Sequence, residues 1–381
     1  MNSSQPSRRI ASNLLFTGRE IVSNPLLTLA ADGTVLDIER CAAPDRRAGV
    51  EFYGGMLLPG LINVHCHLEL SYLRGAIAQG GGFAAFARSM GEVRGRCTGQ
   101  EREAAAAAAD ARMYASGIEA VGDVANGGEA FAVKARSRIR YRTFAEVFGL
   151  RCTTAEGQRP LLRHPRTSLT PHSIYSVQDA LFREICAEGD APLSIHFEET
   201  PAEAELFARQ GALWEWYGRA GFACDFLGYG SPARRLVESV PPYRSVILVH
   251  NCCITQEDIE LIEEHFTTPV RWCLCPGSNH YISRLKPPVA LLRRHGAHIC
   301  LGTDSLASNT GLSLLDEMRL LADQAPLEEL LRWATSNGAE ALGFDDLGTI
   351  APGRRPGLLL LSGLDWPRRA LTPQTTLRRL L

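Results

Sequence analysis

The chain is 381 residues long, 45% hydrophobic and 22% charged, with a formal net charge of -2. That is ample core for one large domain plus a small one, and the near-zero charge gives no general attraction to nucleic acid or anionic membranes. No segment is long and apolar enough to span a bilayer, and the N-terminal MNSSQPSRRIASNLLFTGRE lacks an apolar stretch of signal-peptide length.

Residues 1–58 read as short strands with turns: SNLLFTG, LLTLAADGTVLDIE and GVEFYGGMLLPG. Asp32-Gly33 between two apolar runs is a hairpin signal. From residue 60 onward eight strand-like runs follow in order: LINVHCH, GIEAVGDV, IRYRTFAEVF, TSLTPHS, PLSIHFEE, SVILVHN, VRWCLC and AHICLGTD. Helical stretches intervene, among them EREAAAAAADARMYAS, VQDALFREICAEG, TQEDIELIEEHF and SLLDEMRLLADQ. Strands alternating with helices imply a parallel sheet, and eight units predict an α/β fold built on a (β/α)8 TIM-like barrel. The stretch LGTIAPGRRPGLLLL (347–361) returns to short-strand texture. It is expected to pair with the N-terminal strands, giving a small composite β-sandwich domain from residues 1–58 plus 345–381 around a barrel at 59–344. The aromatic-rich segment 206–240 is longer than a βα connection needs. It reads as an insertion, either with its own small core or acting as a lid over a planar substrate. The 11 cysteines are spread thinly, several inside apolar runs such as VHNCCIT and RWCLCPGS. Reduced thiols in a cytoplasmic protein are the expectation.

Barrel strands point their C-terminal ends into one shared mouth. The residues there are His65 and His67, His172, His196 with Glu199, His250, and Thr303-Asp304. Five of the ten histidines thus fall at strand ends. His-x-His on a strand puts both imidazoles on one face, because side chains alternate with a period of two. Two such imidazoles, a third from another strand and a carboxylate suit Zn²⁺ or Fe²⁺, with one position open for a water that the ion acidifies.

The stretches LLPGLINVHCHLELS, SIHFEE, VILVHN, CLCPGSN and LGTDSLASN resemble, in order, the amidohydrolase superfamily of metal-dependent hydrolases. Within it the chain is similar to the cytosine-deaminase-like branch, and HLELS with GTDSLASN is most similar to the aminodeoxyfutalosine deaminase-like group. The resemblance implies that His65, His67, His196 and Asp304 bind one divalent ion, Zn²⁺ ahead of Fe²⁺. It implies that Glu199 shuttles protons to a ring nitrogen, that His250 polarises the attacking water, and that Asp304 accepts its proton. His172, Asn279 and Ser305 would contact substrate. Binuclear relatives use a carboxylated lysine on the fourth strand. Lys134 and Lys286 are this chain's only lysines and neither lies there, so one ion per chain is expected. The implied activity is hydrolysis of a non-peptide C–N bond: deamination of a purine-, nucleoside- or aminodeoxyfutalosine-like ring. Opening of a cyclic amide or imide, a chlorohydrolase-type reaction and an inactive barrel scaffold are the alternatives. The partner is a small-molecule substrate, with neither nucleic acid nor membrane, and a homodimer remains open.

Overall fold

The structure, a computed structural model, describes the backbone of residues 6–40 and 49–381; residues 1–5 and 41–48 of the expected 1–58 segment lie outside the described residues. Seven strands from both ends of the chain form one sheet, in which Leu359–Ser362 pairs antiparallel with Glu51–Leu58. The Asp32-Gly33 hairpin joins Pro25–Ala30 to Val35–Arg40. Its turn is held by Thr34 N–H donating to Asp32 Oδ1 at 3.0 Å, with Gly33 at φ 88°. At that φ a side chain would be strained.

All eight runs read as strands from residue 60 onward are strands. They make two parallel four-stranded sheets. One holds Leu61–Cys66, Ile118–Ala125, Arg140–Val147 and Thr167–Pro171; the other holds Leu193–Phe197, Val246–His250, Arg271–Leu274 and His298–Leu301. Their residues are almost wholly buried, as expected of a parallel sheet covered by helices. The alanine-rich helix spans Gly99–Ala115 and starts at a capping box, with Thr98 and Glu101 bonding each other's backbone N–H.

Two seams join the sheets. At one, His196 N–H donates to the His172 carbonyl at 2.9 Å, and the Thr170 hydroxyl donates to the Ser194 carbonyl at 2.8 Å while accepting from Ser194 N–H at 3.0 Å. At the other, the N–H groups of Thr303 and Asp304 both reach the His65 carbonyl at 3.0 Å. Buried Asn63 clamps Thr303 there, donating to its hydroxyl at 2.8 Å and accepting from its N–H at 3.1 Å. Buried polar side chains thus satisfy backbone groups where the regular ladder lapses.

Lys134 lies on the helix Phe131–Arg136 and its side chain is buried. Its ammonium contacts the fully buried Asp123 carboxylate and donates to Thr143 Oγ1 at 3.1 Å. Asp123 Oδ1 accepts from Leu68 N–H at 2.7 Å, which anchors the chain just past His67. Lys286, by contrast, is exposed and faces Asp323 at 4.0 Å. Replacing Lys134 by Met leaves a buried carboxylate unpaired and is expected to cost about 3–5 kcal/mol of stability. Lys286→Met should cost no more than about 1 kcal/mol. Denaturant titration of both variants measures the contrast, and equal midpoints would contradict it.

Candidate metal centre and active site

The C-terminal ends of the strands bring His67, His172, His196, Glu199, His250 and Asp304 around one cavity, with fully buried His65 beside them. His67 Nε2 lies 3.2 Å from His65 Nε2 and 3.3 Å from His196 Nε2. Asp304 Oδ1 stands 3.5 Å and 3.8 Å from the Nε2 atoms of His67 and His65. Ligand atoms about 2.0–2.1 Å from a zinc ion in a tetrahedral shell stand roughly 3.3 Å apart. The spacing therefore fits a divalent ion held by His65, His67 and His196, with Asp304 beside them.

Protonation agrees. Burial first, and then the neighbouring imidazoles, keep His65 well below its ordinary range. Burial likewise lowers His67 to about 4, and it lowers His196 too, so the rings are neutral near pH 7 with lone pairs to share. His196 Nδ1 donates to the His172 carbonyl at 2.8 Å, which fixes the tautomer with Nε2 free. Burial would push Asp304 up, but His67, His250 and the Ser278 hydroxyl hold it down at about 2. Ser278 and Ser308 donate to its Oδ2 at 2.6 and 2.7 Å, leaving Oδ1 toward the imidazoles.

Glu199 has the opposite character. Burial, with Asp304 and Glu203 adding to it, raises its carboxyl well above the usual range. Its backbone N–H donates to Glu203 Oε1 at 2.7 Å, and that of Glu198 donates to Glu203 Oε2 at 2.9 Å. Glu203, in the first turn of the helix Pro201–Phe207, thus clamps the segment that carries Glu199. His250 Nε2 is 3.9 Å from Glu199 Oε1, while its Nδ1 accepts from Asn279 Nδ2 at 3.0 Å. Nε2 therefore carries the hydrogen. Glu198, His250, Asn251 and Asp304 have φ of 48°, 83°, 55° and 56°. Positive φ is unfavourable for such residues, and its concentration at these strand ends marks a site rather than a scaffold.

The cavity measures about 350 Å³, within the small-molecule range. Ser305 and His172 line it. His172 Nδ1 pairs with Ser176 Oγ at 2.9 Å, and Ser176 also accepts from Ser173, which fixes the ring's orientation. Asn279 departs from expectation: it is absent from the lining and sits behind His250, where its amide is spent on the ring nitrogen. Trp216 and Tyr217, from the helix Gly211–Arg219 inside the 206–240 segment, contribute wall, while Phe226 packs in that segment's own core against Phe207 at 5.6 Å. Arg74 and Arg151 bond the carbonyls of Thr310 and Ala220 outside the cavity. Phe148 lines the cavity edge-on to His172, whereas Phe197 is plain core. A larger groove of about 560 Å³ near Arg293 and Arg368 contains none of the histidines.

Arg94, Asn126 and Glu146, which no motif singles out, form part of the wall. Arg94 Nη2 donates to Asn126 Oδ1 at 2.7 Å, and Asn126 Nδ2 donates to Glu146 Oε2 at 2.7 Å. Glu69, two residues past His67, is structural: it accepts from the N–H groups of Asn126 and Gly127 and from Arg94, and burial lifts it to about 7. Buried Cys273 and Cys275 sit in the core with Cys300 and belong to none of the metal-competent groups among the described residues.

The 5-methylthioadenosine/S-adenosylhomocysteine deaminase of Halalkalibacterium halodurans is 26% identical over 373 residues, covering 87% of this chain and 79% of that protein. The structure of Helicobacter pylori aminofutalosine deaminase in complex with methylthio-coformycin superposes with a TM-score of 0.78 at 24% identity, over 94% of this chain and 93% of that one. An adenosine deaminase from Xanthomonas campestris with bound zinc gives 0.74 at 23% identity, over 93% and 84%. These structures share the fold, a mixed α/β architecture of the amidohydrolase kind. The model of the amidohydrolase family matches residues 56–377, well over half the sequence. On that match the chain belongs to the amidohydrolase family and is a hydrolase of carbon–nitrogen bonds other than peptide bonds.

Proposed function

We propose that this chain is an aminohydrolase that releases ammonia from the amino-bearing ring carbon of a purine nucleoside or an aminodeoxyfutalosine-like nucleoside. The observation that carries the reading is geometric: Asp304 Oδ1 lies 3.5 Å from His67 Nε2 and Glu199 Oε1 lies 3.9 Å from His250 Nε2, so two carboxyl groups flank imidazoles spaced to bind a metal, with burial pushing Glu199 up while His67, His250 and Ser278 hold Asp304 down. Groups whose environments push their pKa values apart are how one site supplies both acid and base. The activities of the deaminase relatives, 5-methylthioadenosine/S-adenosylhomocysteine deaminase and 5'-deoxyadenosine deaminase, support the same choice.

His65, His67, His196 and Asp304 would hold one divalent ion, zinc before iron. When bound, the ion acidifies a water and polarises the reacting carbon–oxygen bond as it forms. Asp304 Oδ1 takes one proton from the attacking water. Glu199 gives its proton to the ring nitrogen next to the carbon under attack, so the adduct carries no net charge. His250 Nε2–H hydrogen-bonds the incoming oxygen, with Asn279 fixing the ring's tautomer from behind. The proton held on Asp304 passes to the amino group, which departs as ammonia. The ring nitrogen keeps the proton from Glu199, and Glu199 recovers one from the oxygen as the carbonyl forms. His172 and Ser305 contact the substrate from the cavity lining.

A single ion is favoured by two features. The fourth strand carries no lysine, and Lys134 is committed to Asp123 elsewhere. A second grouping, Glu146 with His172 and His196, has its ligand atoms within 4.8 Å of one another. It lacks a free lone pair at His196 Nδ1, which already donates to a carbonyl.

We read the two parallel sheets and their seams as one closed (β/α)8 barrel at 59–344, with 1–58 and 345–381 forming the composite β-sandwich domain. The 206–240 segment acts as a lid through Trp216 and Tyr217. No helix among the described residues is long and apolar enough to cross a membrane. The ten free cysteines among those residues support a cytoplasmic setting.

Metal analysis of purified protein should give about one equivalent of zinc or iron per chain, and chelation should lower the melting temperature. Two tightly bound equivalents would exclude the single-ion site. Glu199→Gln should keep its metal yet lose about 10²–10⁴-fold in kcat on an aminopurine nucleoside, measured by ammonia release. Near-normal turnover would remove Glu199 from its proposed role.

A further inference from the structure

Glu146 is unused by the mechanism above. It is the penultimate residue of the third barrel strand, Arg140–Val147, is buried, and lines the cavity. Its Oε2 is pinned by Asn126 Nδ2 at 2.7 Å, and Asn126 is itself held by Arg94. Its Oε1 has no hydrogen-bond partner among the described residues. That oxygen lies on the His172–His196 side, 3.8 Å from His196 Nδ1, beyond hydrogen-bond reach of a nitrogen that is already satisfied. A buried acceptor without a donor costs about 1–3 kcal/mol. Such a group persists where a ligand completes it.

The rest of the wall narrows what that ligand offers. Beyond the groups assigned to the reacting edge, the cavity is largely apolar, with Phe83, Phe86, Met90, Phe148 and Trp216 exposed to it. Arg94 and Asn126 are already paired with each other, and Asn126 also with Glu146. The free Glu146 oxygen is therefore the acceptor still open on this side of the wall, a short way from the His172 ring nitrogen. In a purine nucleoside the reacting edge of the base is taken by Glu199, His250 and Asp304. The donors left over are the sugar hydroxyls. A carboxyl oxygen accepts a hydroxyl hydrogen whether or not the group carries its proton, so the contact does not depend on the ionisation of Glu146.

Resting on the nucleoside reading above, we infer that Glu146 is the residue that recognises a 2′- or 3′-hydroxyl of the substrate ribose, held in register by Asn126. It makes the enzyme selective for ribonucleosides over deoxynucleosides and free bases. A site built to pair a substrate hydroxyl rejects the analogue that lacks it, because its own buried group is then left alone.

The test compares wild type, Glu146→Gln and Glu146→Leu, each loaded with zinc, on adenosine, 2′-deoxyadenosine, 3′-deoxyadenosine and adenine. In Glu146→Gln the side-chain carbonyl still faces Asn126 Nδ2, so an NH₂ group replaces the free acceptor with little change of shape. Wild type should prefer adenosine over at least one deoxynucleoside by about 10–100-fold in kcat/KM. Both variants should shrink that preference to within about 3-fold, chiefly through a higher KM for adenosine, with zinc content and turnover of that deoxynucleoside unchanged. A merely structural role would lower all substrates together. Equal losses on ribo- and deoxynucleosides, or an undiminished preference in the variants, overturn the assignment of Glu146 while leaving the deaminase reading intact. Failure of wild type to release ammonia from any of the nucleosides overturns both.

Discussion

The backbone hydrogen bonds across the two sheet seams are what the site depends on. His65 accepts from Thr303 and Asp304 at one seam, and His172 accepts from His196 at the other. The residues that join the sheets are thus the same residues, or their immediate neighbours, that gather at the centre. The seams bring Asp304 beside His65 and His196 beside His172 by main-chain bonds, which fix positions more tightly than side-chain contacts do. Gly302 reflects this closeness: a Cβ there would sit 2.8 Å from His65 Cβ and 2.9 Å from Cys275 Sγ. Any larger residue would force the eighth strand away from the first.

Burial then sets the chemistry. Removing five imidazoles from water favours their neutral forms, and the same desolvation protonates Glu199. Asp304 escapes this chiefly because His67 and His250 face its carboxylate, with the Ser278 hydroxyl bond adding to them. Imidazole neighbours at Asp304 and carboxyl neighbours at Glu199 thus push the two groups in opposite directions. Glu203 and Asn279 complete the arrangement at one remove, the first holding the backbone of Glu199 and the second the ring of His250. Strained φ values at Glu198, His250 and Asp304 are tolerated because these bonds over-determine the local backbone.

Much of this was legible beforehand. Every strand of the two parallel sheets was visible as an apolar run bounded by turn residues, and the histidines fell at their ends because period-two alternation is a local property. The pairing of the C-terminal Leu359–Ser362 with the N-terminal segment followed from shared texture. The misjudged residues were those whose role depends on a neighbour distant in the chain. Asn279 follows a motif at the mouth, yet faces the back of His250. Glu69, though only two residues past His67, serves the backbone at 126–127. Arg94, Asn126 and Glu146 come from a loop and two strand ends with no shared motif, so nothing local singled them out.

By itself the sequence determined the period and order of the elements, the two histidines on one face at 65 and 67, and the acidic residue three past His196, since each rests on spacing along one segment. Only the tertiary structure decided which carboxyl is ionised, which imidazole nitrogen is free, and that Glu146 reaches the cavity with an unpaired oxygen. Those properties arise from desolvation and from hydrogen bonds between groups up to 240 residues apart, such as Asn63 and Thr303, and no local pattern encodes them.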